Sequence, residues 1–362
     1  MIINDWISNI IAGGTYRIQG FTKGFQSLGH KVIIVTPWGI VKYEKHSSIH
    51  QLNVKSPLYY ATTSLGLPLQ LIRAVMRTGL IDLVLIQMPS PFTKALTILP
   101  ILKIFDVPII LDFGDPWWKG SDPSIYKYIS SKIIQFQAKE SILITSSSKL
   151  ILKLIDHENK VHIPNGVDIE LFRPGNKEKP DVPLVGFLGA FTKRNGAEII
   201  IPILTELMRR GFDVRFVLVG GGDLLLTIYS EITRRGLKEK VIIFGDVPRQ
   251  KIPRLLSMCN VLVAPYLNSK ELHYIFPTKI PEMMALKKSV VTASLYEIVT
   301  TFKINEELLV ARYNAIDYAD KIELLLTDPI LREKIAEKGY ERIRKEFTWE
   351  KSSMKILENI NL

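Results

Sequence analysis

Cysteine is almost missing from this sequence of 362 residues, in which Cys259 stands alone. A single cysteine excludes a disulfide framework within the chain and any cysteine-rich metal site. The six histidines show no metal-ligand spacing either. We therefore expect no metal site built on cysteine or histidine, and a reducing, cytoplasmic setting.

Long hydrophobic runs are missing as well. The longest apolar tract, residues 95–111, is interrupted by Pro100, Lys103, Asp106 and Pro108, so it does not predict a membrane span. The opening residues, MIINDW, lack the basic start and apolar run of a secretory signal. Their strand pattern is short, which leaves two alternatives: the first strand is short, or the natural chain begins earlier.

Acidic residues are in the minority, since 36 Asp and Glu stand against 47 Lys and Arg, a formal charge of +11. Such an excess favours phosphorylated ligands, acidic membranes or nucleic acid as partners. No basic block or nucleic-acid-binding module is present, so we expect no nucleic-acid partner. The basic residues form either a solvated surface or a patch that contacts an acidic membrane at its inner face. The apolar, basic segment 65–79 is either a membrane-surface helix or a helix that faces the core.

Short apolar runs are abundant, in a composition of 47% hydrophobic and 23% charged residues that is typical of globular proteins. Ten runs predict buried strands, and helical patterns separate them, which predicts parallel sheets covered on both faces. The expected fold class is α/β, with two doubly wound, Rossmann-like domains facing across a ligand-binding cleft. The runs are 31–37, 82–88, 107–113, 141–147, 160–164, 184–190, 213–220, 240–245, 260–265 and 289–293.

A turn-rich linker at 173–183 sets the predicted domain boundaries. Residues 1–172 form the N-terminal domain, and residues 184–340 form the C-terminal domain. The charged segment 328–360 has a helical pattern with an apolar stripe, and residues 341–362 are predicted to cross back to the N-terminal domain.

Two glycine-rich turns stand between predicted strands and helices. Gly13 and Gly14 precede the first long helical pattern, and Gly220, Gly221 and Gly222 follow a strand pattern. Glycine at such a turn lets a ligand approach the backbone closely. The alternatives are a plain tight turn at the first site and, at the second, a loop whose positive φ angles exclude side chains.

The segment LDFGDPWWKG (111–120) places Asp115, Trp117 and Trp118 just beyond a predicted strand. A carboxylate and two indoles at a strand's carboxyl end are typical of a sugar-binding surface, because pyranose faces stack on indole rings. The alternative is a structural turn with the tryptophans in the core.

The segment IFPTKIPEMMALKKSVV (275–291) begins a short apolar helix with Thr278 and Lys279 and carries Glu282 one turn later. Thr278 either caps the helix, with Glu282 favouring its positive end, or the helix start receives a ligand's phosphates.

Seven segments resemble, in the same order, the landmarks of the family 4 (group 1) glycosyltransferases, which have the GT-B fold. Together they extend over nearly the whole chain. The segments are SLGHKVIIVTP (27–37), IPNGVDIELFRP (163–174), LVGFLGA (184–190), VLVGGGD (217–223), VIIFGDVPRQKIPRLLSMCNVLVAPY (241–266), FPTKIPEMMALKKSVVTA (276–293) and FTWEKSSMKIL (347–357).

The resemblance implies metal-independent, retaining transfer of a sugar, of the hexosyl type, from a UDP- or GDP-linked donor to a glycan, lipid-linked or protein acceptor. The second domain would bind the nucleotide and the first the acceptor. Negative charge builds on the diphosphate as the glycosyl bond breaks, and preorganised donors there lower the barrier. The resemblance implies that Glu282 holds the ribose, that Thr278 and Lys279 lie nearest the phosphates, and that the strand glycine Gly189 lies on the nucleotide side.

The sequence departs from the family pattern at the donor site. Ala190 and Asn195 stand where the family carries an arginine and a lysine, so Lys193 and Arg194 are expected to substitute in neutralising the diphosphate. The family often carries two glutamates eight residues apart; here Glu282 matches the second, and Tyr274 occupies the position of the first.

On the acceptor side, Asp115 remains where many members have a histidine, and Asp115 with Arg17 would face the acceptor or the transferred sugar, beside Trp117 and Trp118. The departures motivate a second hypothesis, a non-catalytic GT-B protein that binds sugars or serves as a partner subunit. A third, a nucleotide-sugar epimerase, needs a cluster of acid–base groups that the sequence does not indicate.

Overall fold

The computed structural model describes residues 1–3, 13–36, 39–42, 57–79, 81–87, 94–114, 125–175 and 180–360. Its internal contacts divide the chain into two units. Unit 1 comprises residues 1–166 and 349–362, and unit 2 comprises residues 167–348. Within the described residues, no helix combines the length and the apolar character needed to cross a membrane.

Unit 1 is built on a seven-stranded sheet. Its strands are β1 (Ile2–Ile3), β2 (Ile33–Thr36), β3 (Gly39–Lys42), β4 (Val84–Gln87), β5 (Ile109–Phe113), β6 (Leu143–Ser146) and β7 (Lys160–His162). Their order is β3-β2-β1-β4-β5-β6-β7, and all neighbours are parallel except β2 and β3. The central strands β4 and β5 are buried throughout, as expected for strands covered on both faces. The sequence predicted six of these strands, including a short strand at the position of β1, but missed the antiparallel β3.

Helices cover both faces of this sheet, because right-handed crossovers run in opposite directions on either side of β1. The helix α1 packs on the face that presents Ile34, Leu85 and Ile110. The helices α2, α3 and α4 form a second layer, connected through a π-helical turn at Lys94–Ile98. The bounds are α1 (Gly13–Ser27), α2 (Pro57–Thr78), α3 (Leu99–Ile104), α4 (Ile125–Lys139) and α5 (Lys149–Leu152).

Unit 2 is built on six parallel strands in the order β10-β9-β8-β11-β12-β13. They are β8 (Leu184–Leu188), β9 (Arg215–Val219), β10 (Val241–Gly245), β11 (Val261–Ala264), β12 (Ser289–Ala293) and β13 (Leu309–Ala311). The carboxyl ends of all six strands therefore lie at one edge of the sheet, and the chain order reverses between β8 and β11. Such an edge is where open α/β sheets bind ligands.

The helices of unit 2 bury one apolar cluster on each side of this sheet. They are α6 (Ile200–Arg209), α7 (Leu225–Arg234), α8 (Ile252–Ser257), α9 (Lys279–Ala285), α10 (Tyr296–Val299), α11 (Ala315–Thr327) and α12 (Pro329–Glu346). Short 3-10 turns lie at Ala197–Ile199, Lys238–Lys240, Arg249–Lys251 and Lys270–Tyr274.

The last helix, α13 (Trp349–Glu358), belongs to unit 1, although α12 belongs to unit 2. The charged C-terminal segment is thus two helices. Trp349 packs edge-on against Phe21 of α1, with 5.4 Å between ring centroids. Gly20 makes room for it, because a Cβ there would lie 2.0 Å from the Trp349 ring.

Candidate functional site

The most unusual side chain in unit 2 is Lys279, the first residue of α9, which is buried despite its charge. Its Nζ lies 4.2 Å from the ring centroid of Tyr266 and 5.2 Å from that of Phe187. The amine also donates a hydrogen bond of 3.3 Å to Asn195 Oδ1. These cation–π contacts and the hydrogen bond offset part of the hydration that burial removes. We call Lys279, Tyr266, Phe187, Asn195 and Gly189 the lysine pocket.

Gly189, directly after β8, gives this amine its space. A Cβ at position 189 would lie 2.7 Å from Lys279 Nζ. The φ angle of Gly189 is 144°, a conformation that residues with side chains rarely adopt. Backbone geometry and space therefore both require glycine here.

Asn195 is oriented by the loop that follows β8. Its Nδ2 donates to the carbonyl of Ala190 at 3.1 Å and to Thr192 Oγ1 at 3.2 Å. With both amide donor contacts made inside the loop, Oδ1 points toward Lys279. Sequence reasoning noted Asn195 only as a departure and missed this contact, for which no local pattern exists.

The environment of Lys279 changes its acidity. Burial, with a smaller contribution from the nearby positive charge of Arg194, lowers the pKa of the amine to about 7. An anion bound beside the amine would favour the charged form and raise this pKa again. The pocket is thus suited to a negatively charged ligand that arrives near neutral pH.

Glu282 lies one turn further along α9 and is also buried. Its carboxylate is ion-paired with Arg249, whose guanidinium carbon lies 4.8 Å from the ring centroid of Phe172. Burial raises the pKa of Glu282, with a smaller contribution from Asp168, while Arg249 opposes the shift. Sequence reasoning found Glu282 but missed Arg249, which is 33 residues away along the chain.

The start of α9 has no side-chain cap, although one of the two sequence-based interpretations expected Thr278 to provide it. Thr278 is half-buried and makes no side-chain capping hydrogen bond, so the interpretation of Thr278 as a helix cap is wrong. Pro281 occupies the third position of the helix and has no N–H group. Few backbone donors are therefore available at this helix start, and the Lys279 amine is its main positive group.

The glycines at the strand ends use their N–H groups in backbone hydrogen bonds within unit 2. The N–H of Gly189 donates to the Val219 carbonyl at 3.0 Å, and the N–H of Gly220 donates to the Gly245 carbonyl at 2.8 Å. A Cβ on Gly220 would lie 2.2 Å from the Gly189 oxygen. The alternative in which the Gly220 amide faces a nucleotide is therefore wrong.

Gly221 also lies at this edge, where a Cβ would come within 2.6 Å of Asp246 Oδ2. The carbonyl of Gly221 accepts a hydrogen bond of 2.7 Å from the N–H of Phe191. The glycine-rich turn after β9 is thereby fixed against the loop after β8.

Lys193 and Arg194 are exposed on that same loop. Arg194 is close enough to lower the pKa of Lys279, so the structure brings these two cations together. Lys193 lies beside Arg194 in the chain, with its side chain in solvent.

The prediction that Arg17 in unit 1 faces the acceptor or the transferred sugar is wrong. Arg17 is buried and forms two hydrogen bonds of 2.7 Å with the Asp112 carboxylate and one of 3.0 Å with Asn165 Oδ1. Asp112 is fully buried and also accepts a hydrogen bond of 2.7 Å from Thr145 Oγ1. Arg17 is therefore committed to the interior of unit 1 and does not extend into solvent toward an acceptor.

The other predicted residues of unit 1 are less informative. Gly13 and Gly14 are the first two residues of α1. Asp115, Trp117 and Trp118 lie outside the described residues.

Among the described residues, no group of three or more His, Cys, Asp or Glu side chains could hold a metal ion. His273 instead has a structural environment: its Nδ1 accepts a hydrogen bond from the Tyr296 N–H, and its Nε2 lies 2.9 Å from Asn268 Oδ1.

Solved structures share this fold. A glycosyltransferase from Rickettsia africae matches with a TM-score of 0.74 at 20% identity, over 99% of this chain and 97% of its own. HepE of Anabaena, solved in complex with UDP, matches with a TM-score of 0.73 at 15% identity, over 99% and 98% of the two chains. At such identities the likeness establishes the fold alone, which is the GT-B fold of glycosyltransferases, as the sequence predicted.

A sequence model of the family "Glycosyl transferases group 1" matches residues 168–342, which lie within unit 2. Unit 2 therefore resembles the group 1 glycosyl transferases over this segment, and the resemblance found in the sequence is confirmed there. A curated relative, alpha-D-kanosaminyltransferase of Streptomyces kanamyceticus, is 31% identical over 161 residues. That match spans 43% of this chain and only 40% of the relative.

Proposed function

We propose that this chain transfers a sugar, of the hexosyl type, from a nucleotide-sugar donor to an acceptor, with retention of anomeric configuration and without a metal ion. The lysine pocket is the observation that carries this proposal. It places a buried amine with a pKa of about 7 beside the carboxyl end of β8 in a parallel sheet. Anionic groups of nucleotides bind at such edges.

The chemical role of Lys279 follows from where charge develops. When the glycosyl bond breaks, its electron pair moves to the diphosphate oxygen that leaves. A fixed cation at that oxygen stabilises the transition state more than the ground state, which is what lowers the barrier. Arg194 and Lys193, from the loop after β8, would add positive charge from the solvent side.

The lysine pocket also accounts for a departure from the family pattern. The resemblance places a lysine at the position of Asn195, yet here the Asn195 oxygen accepts a hydrogen bond from Lys279. We infer that Lys279 supplies from α9 the charge that the loop lacks. The donor site would then be complete, with its cation contributed by another element.

Glu282 would hold the ribose hydroxyls of the nucleotide, as the resemblance implies. In the structure its carboxylate is held by Arg249, which is itself stacked on Phe172. A carboxylate fixed in this way accepts hydrogen bonds in a defined direction. Arg249 would therefore be a positioning residue for Glu282.

The finer assignments are also proposals. UDP and GDP are the donor nucleotides that we propose, and HepE was solved with UDP and with UDP-glucose. The acceptor would be a glycan, a lipid-linked molecule or a protein, bound by unit 1 with Asp115, Trp117 and Trp118. Such a reaction belongs to glycan biosynthesis on the cytoplasmic side of a membrane.

The test is a panel of UDP- and GDP-sugars incubated with the purified chain in the presence of a metal chelator. Donor hydrolysis or transfer, with NMR of the anomeric proton in the product, is the expected result. A nucleotide that binds by calorimetry without any turnover would favour the sugar-binding alternative instead. If no donor is bound and none is turned over, the proposal is overturned.

A further inference from the structure

The helix α2 carries apolar residues on both of its faces. Leu67, Leu71 and Ala74 point into unit 1 and are buried. The opposite face is also largely apolar, with side chains three and four residues apart and two arginines at its border. The exposed residues of that face are Leu69, Ile72, Arg73, Met76 and Arg77.

The helix α4 repeats this arrangement. Ile134 and Ala138 are buried, while the residues spaced to lie on the opposite side are exposed. Lys132 folds back over the Tyr128 ring, with its Nζ 5.5 Å from the centroid. The exposed residues of that side are Ile125, Tyr128, Ile129, Lys132, Phe136 and Lys139.

Between α2 and α4 lie the π-helical turn and α3, which continue the same surface. Leu96, Ile104 and Phe105 are exposed there. The π-helical turn packs against α2, α3 and α4, so these elements form one continuous layer. We call the exposed residues of this layer, from Leu69 to Lys139, the basic-apolar face.

The charge of this layer is one-sided. The helical segments 57–78, 94–98, 99–104 and 125–139 contain seven lysines and arginines and no aspartate or glutamate. The described acidic residues nearest to them in the chain are Asp82, Asp106 and Glu140, which lie beyond the ends of α2, α3 and α4, and Glu140 is paired with Lys103.

From this pattern we propose that the basic-apolar face docks unit 1 onto a membrane surface that contains anionic phospholipid. A bilayer interface accepts apolar side chains below the headgroups and attracts the cations beside them. Met76, Ile104 and Ile125 are 78%, 79% and 77% exposed and are the side chains best placed to insert. A surface on which cations outnumber the acidic groups beside it, spread over several helices, is complementary to the negative charge of such a leaflet.

The full chain is tested by co-sedimentation with vesicles of phosphatidylcholine alone and of phosphatidylcholine with phosphatidylglycerol. We expect binding to the anionic vesicles at low salt, weaker binding at high salt, and little binding to the neutral ones. Each basic residue near the leaflet contributes about a fivefold change in partitioning. Replacing Arg73, Arg77, Lys132 and Lys139 by Gln should therefore weaken binding by at least about 100-fold.

Two further variants complete the design. Met76→Ser with Ile125→Ser should also weaken binding, because it removes apolar insertion and leaves the charge unchanged. The matched control is Leu226→Ser with Ile330→Ser in unit 2, whose side chains are 80% and 82% exposed. This control should bind like the wild type.

The proposal is overturned if the wild-type protein does not bind anionic vesicles, or if it binds neutral vesicles equally well. It is also overturned if the basic-residue variant binds as tightly as wild type, or if the control loses as much binding. Self-association through this face without vesicle binding would point to a protein partner and overturn it as well. The assay measures binding and not transfer, so its failure leaves the proposed donor chemistry untouched.

Discussion

Gly189 and Lys279 are matched to each other: the amine of Lys279 occupies the space that a side chain at position 189 would need. The glycine lies directly after β8, and the lysine begins α9, 90 residues later in the sequence. The position of the amine thus depends on a backbone conformation in a distant loop. This relationship makes the lysine pocket testable from either side.

Replacing Gly189 by Ala should displace the Lys279 amine and strain the backbone at a φ of 144°. We expect a loss of stability of about 1–3 kcal/mol and at least tenfold weaker binding of UDP or GDP. Chemical denaturation and calorimetry measure the two effects. Gly211→Ala is the control, because Gly211 also has a positive φ, of 88°, but has no atom within 4 Å of a Cβ. That variant should lose stability and keep its nucleotide affinity.

Lys279→Met should reduce turnover of the donor by about 10²–10³-fold, the usual cost of losing one transition-state charge donor. The fold should be as stable as the wild type or more stable, since methionine fills a similar volume without a buried charge. Donor turnover and a thermal melt measure the two quantities. Full turnover in this variant would remove Lys279 from the mechanism.

The affinity for UDP should depend on pH through Lys279. Its pKa is about 7 in the free protein, and a bound diphosphate should raise it. Above pH 7 the nucleotide must then bring a proton with it, so its affinity falls by up to about tenfold per pH unit. Calorimetry in two buffers of different ionisation enthalpy should detect proton uptake at pH 8. The Lys279→Met variant should show none.

The lowered pKa of Lys279 also makes the free energy of unfolding depend on pH. Between pH 7 and the ordinary lysine pKa of 10.5, the unfolded chain binds a proton that the folded chain does not. The contribution of Lys279 to stability therefore rises with pH in that window and is least favourable below pH 7. Denaturation curves of wild type and Lys279→Met should converge as the pH increases.

Breaking the pair of Arg17 and Asp112 should destabilise unit 1 without changing the donor site. Asp112→Ala leaves the Arg17 guanidinium buried with only Asn165 as a described hydrogen-bond partner, which costs about 3–5 kcal/mol. Arg17→Met with Asp112→Leu should recover part of that loss, because no charge remains buried. Denaturation measures the loss of stability, and nucleotide affinity in the folded fraction should be unchanged. A stable Asp112→Ala protein would contradict the structural role of the pair.

The sequence was most informative where a pattern is local. Short, continuous apolar runs such as those of β5 and β9 predicted the strands, whereas β13, at three residues, is too short to show a pattern. Lys279 and Glu282 were found because both lie in one helix. Their partners were not, because Asn195 is 84 residues from Lys279 and Arg249 is 33 from Glu282.

For Arg17 the sequence predicted a functional role that the structure does not support. From the sequence, Arg17 was expected, together with Asp115, to face the acceptor or the transferred sugar. The carboxylate that holds it is 95 residues away, at the end of β5, and only the folded sheet brings the two together. Burial of a charged residue is not visible in local sequence when its partner comes from another element.

The most direct measurement compares the affinities of UDP and UMP, and of GDP and GMP, for wild type and Lys279→Met. The two members of each pair differ by one phosphate, so their ratio isolates the contact with the diphosphate. If Lys279 meets the second phosphate, the wild type should prefer the diphosphate by at least tenfold and the variant should lose that preference. An equal preference in both proteins would contradict the account.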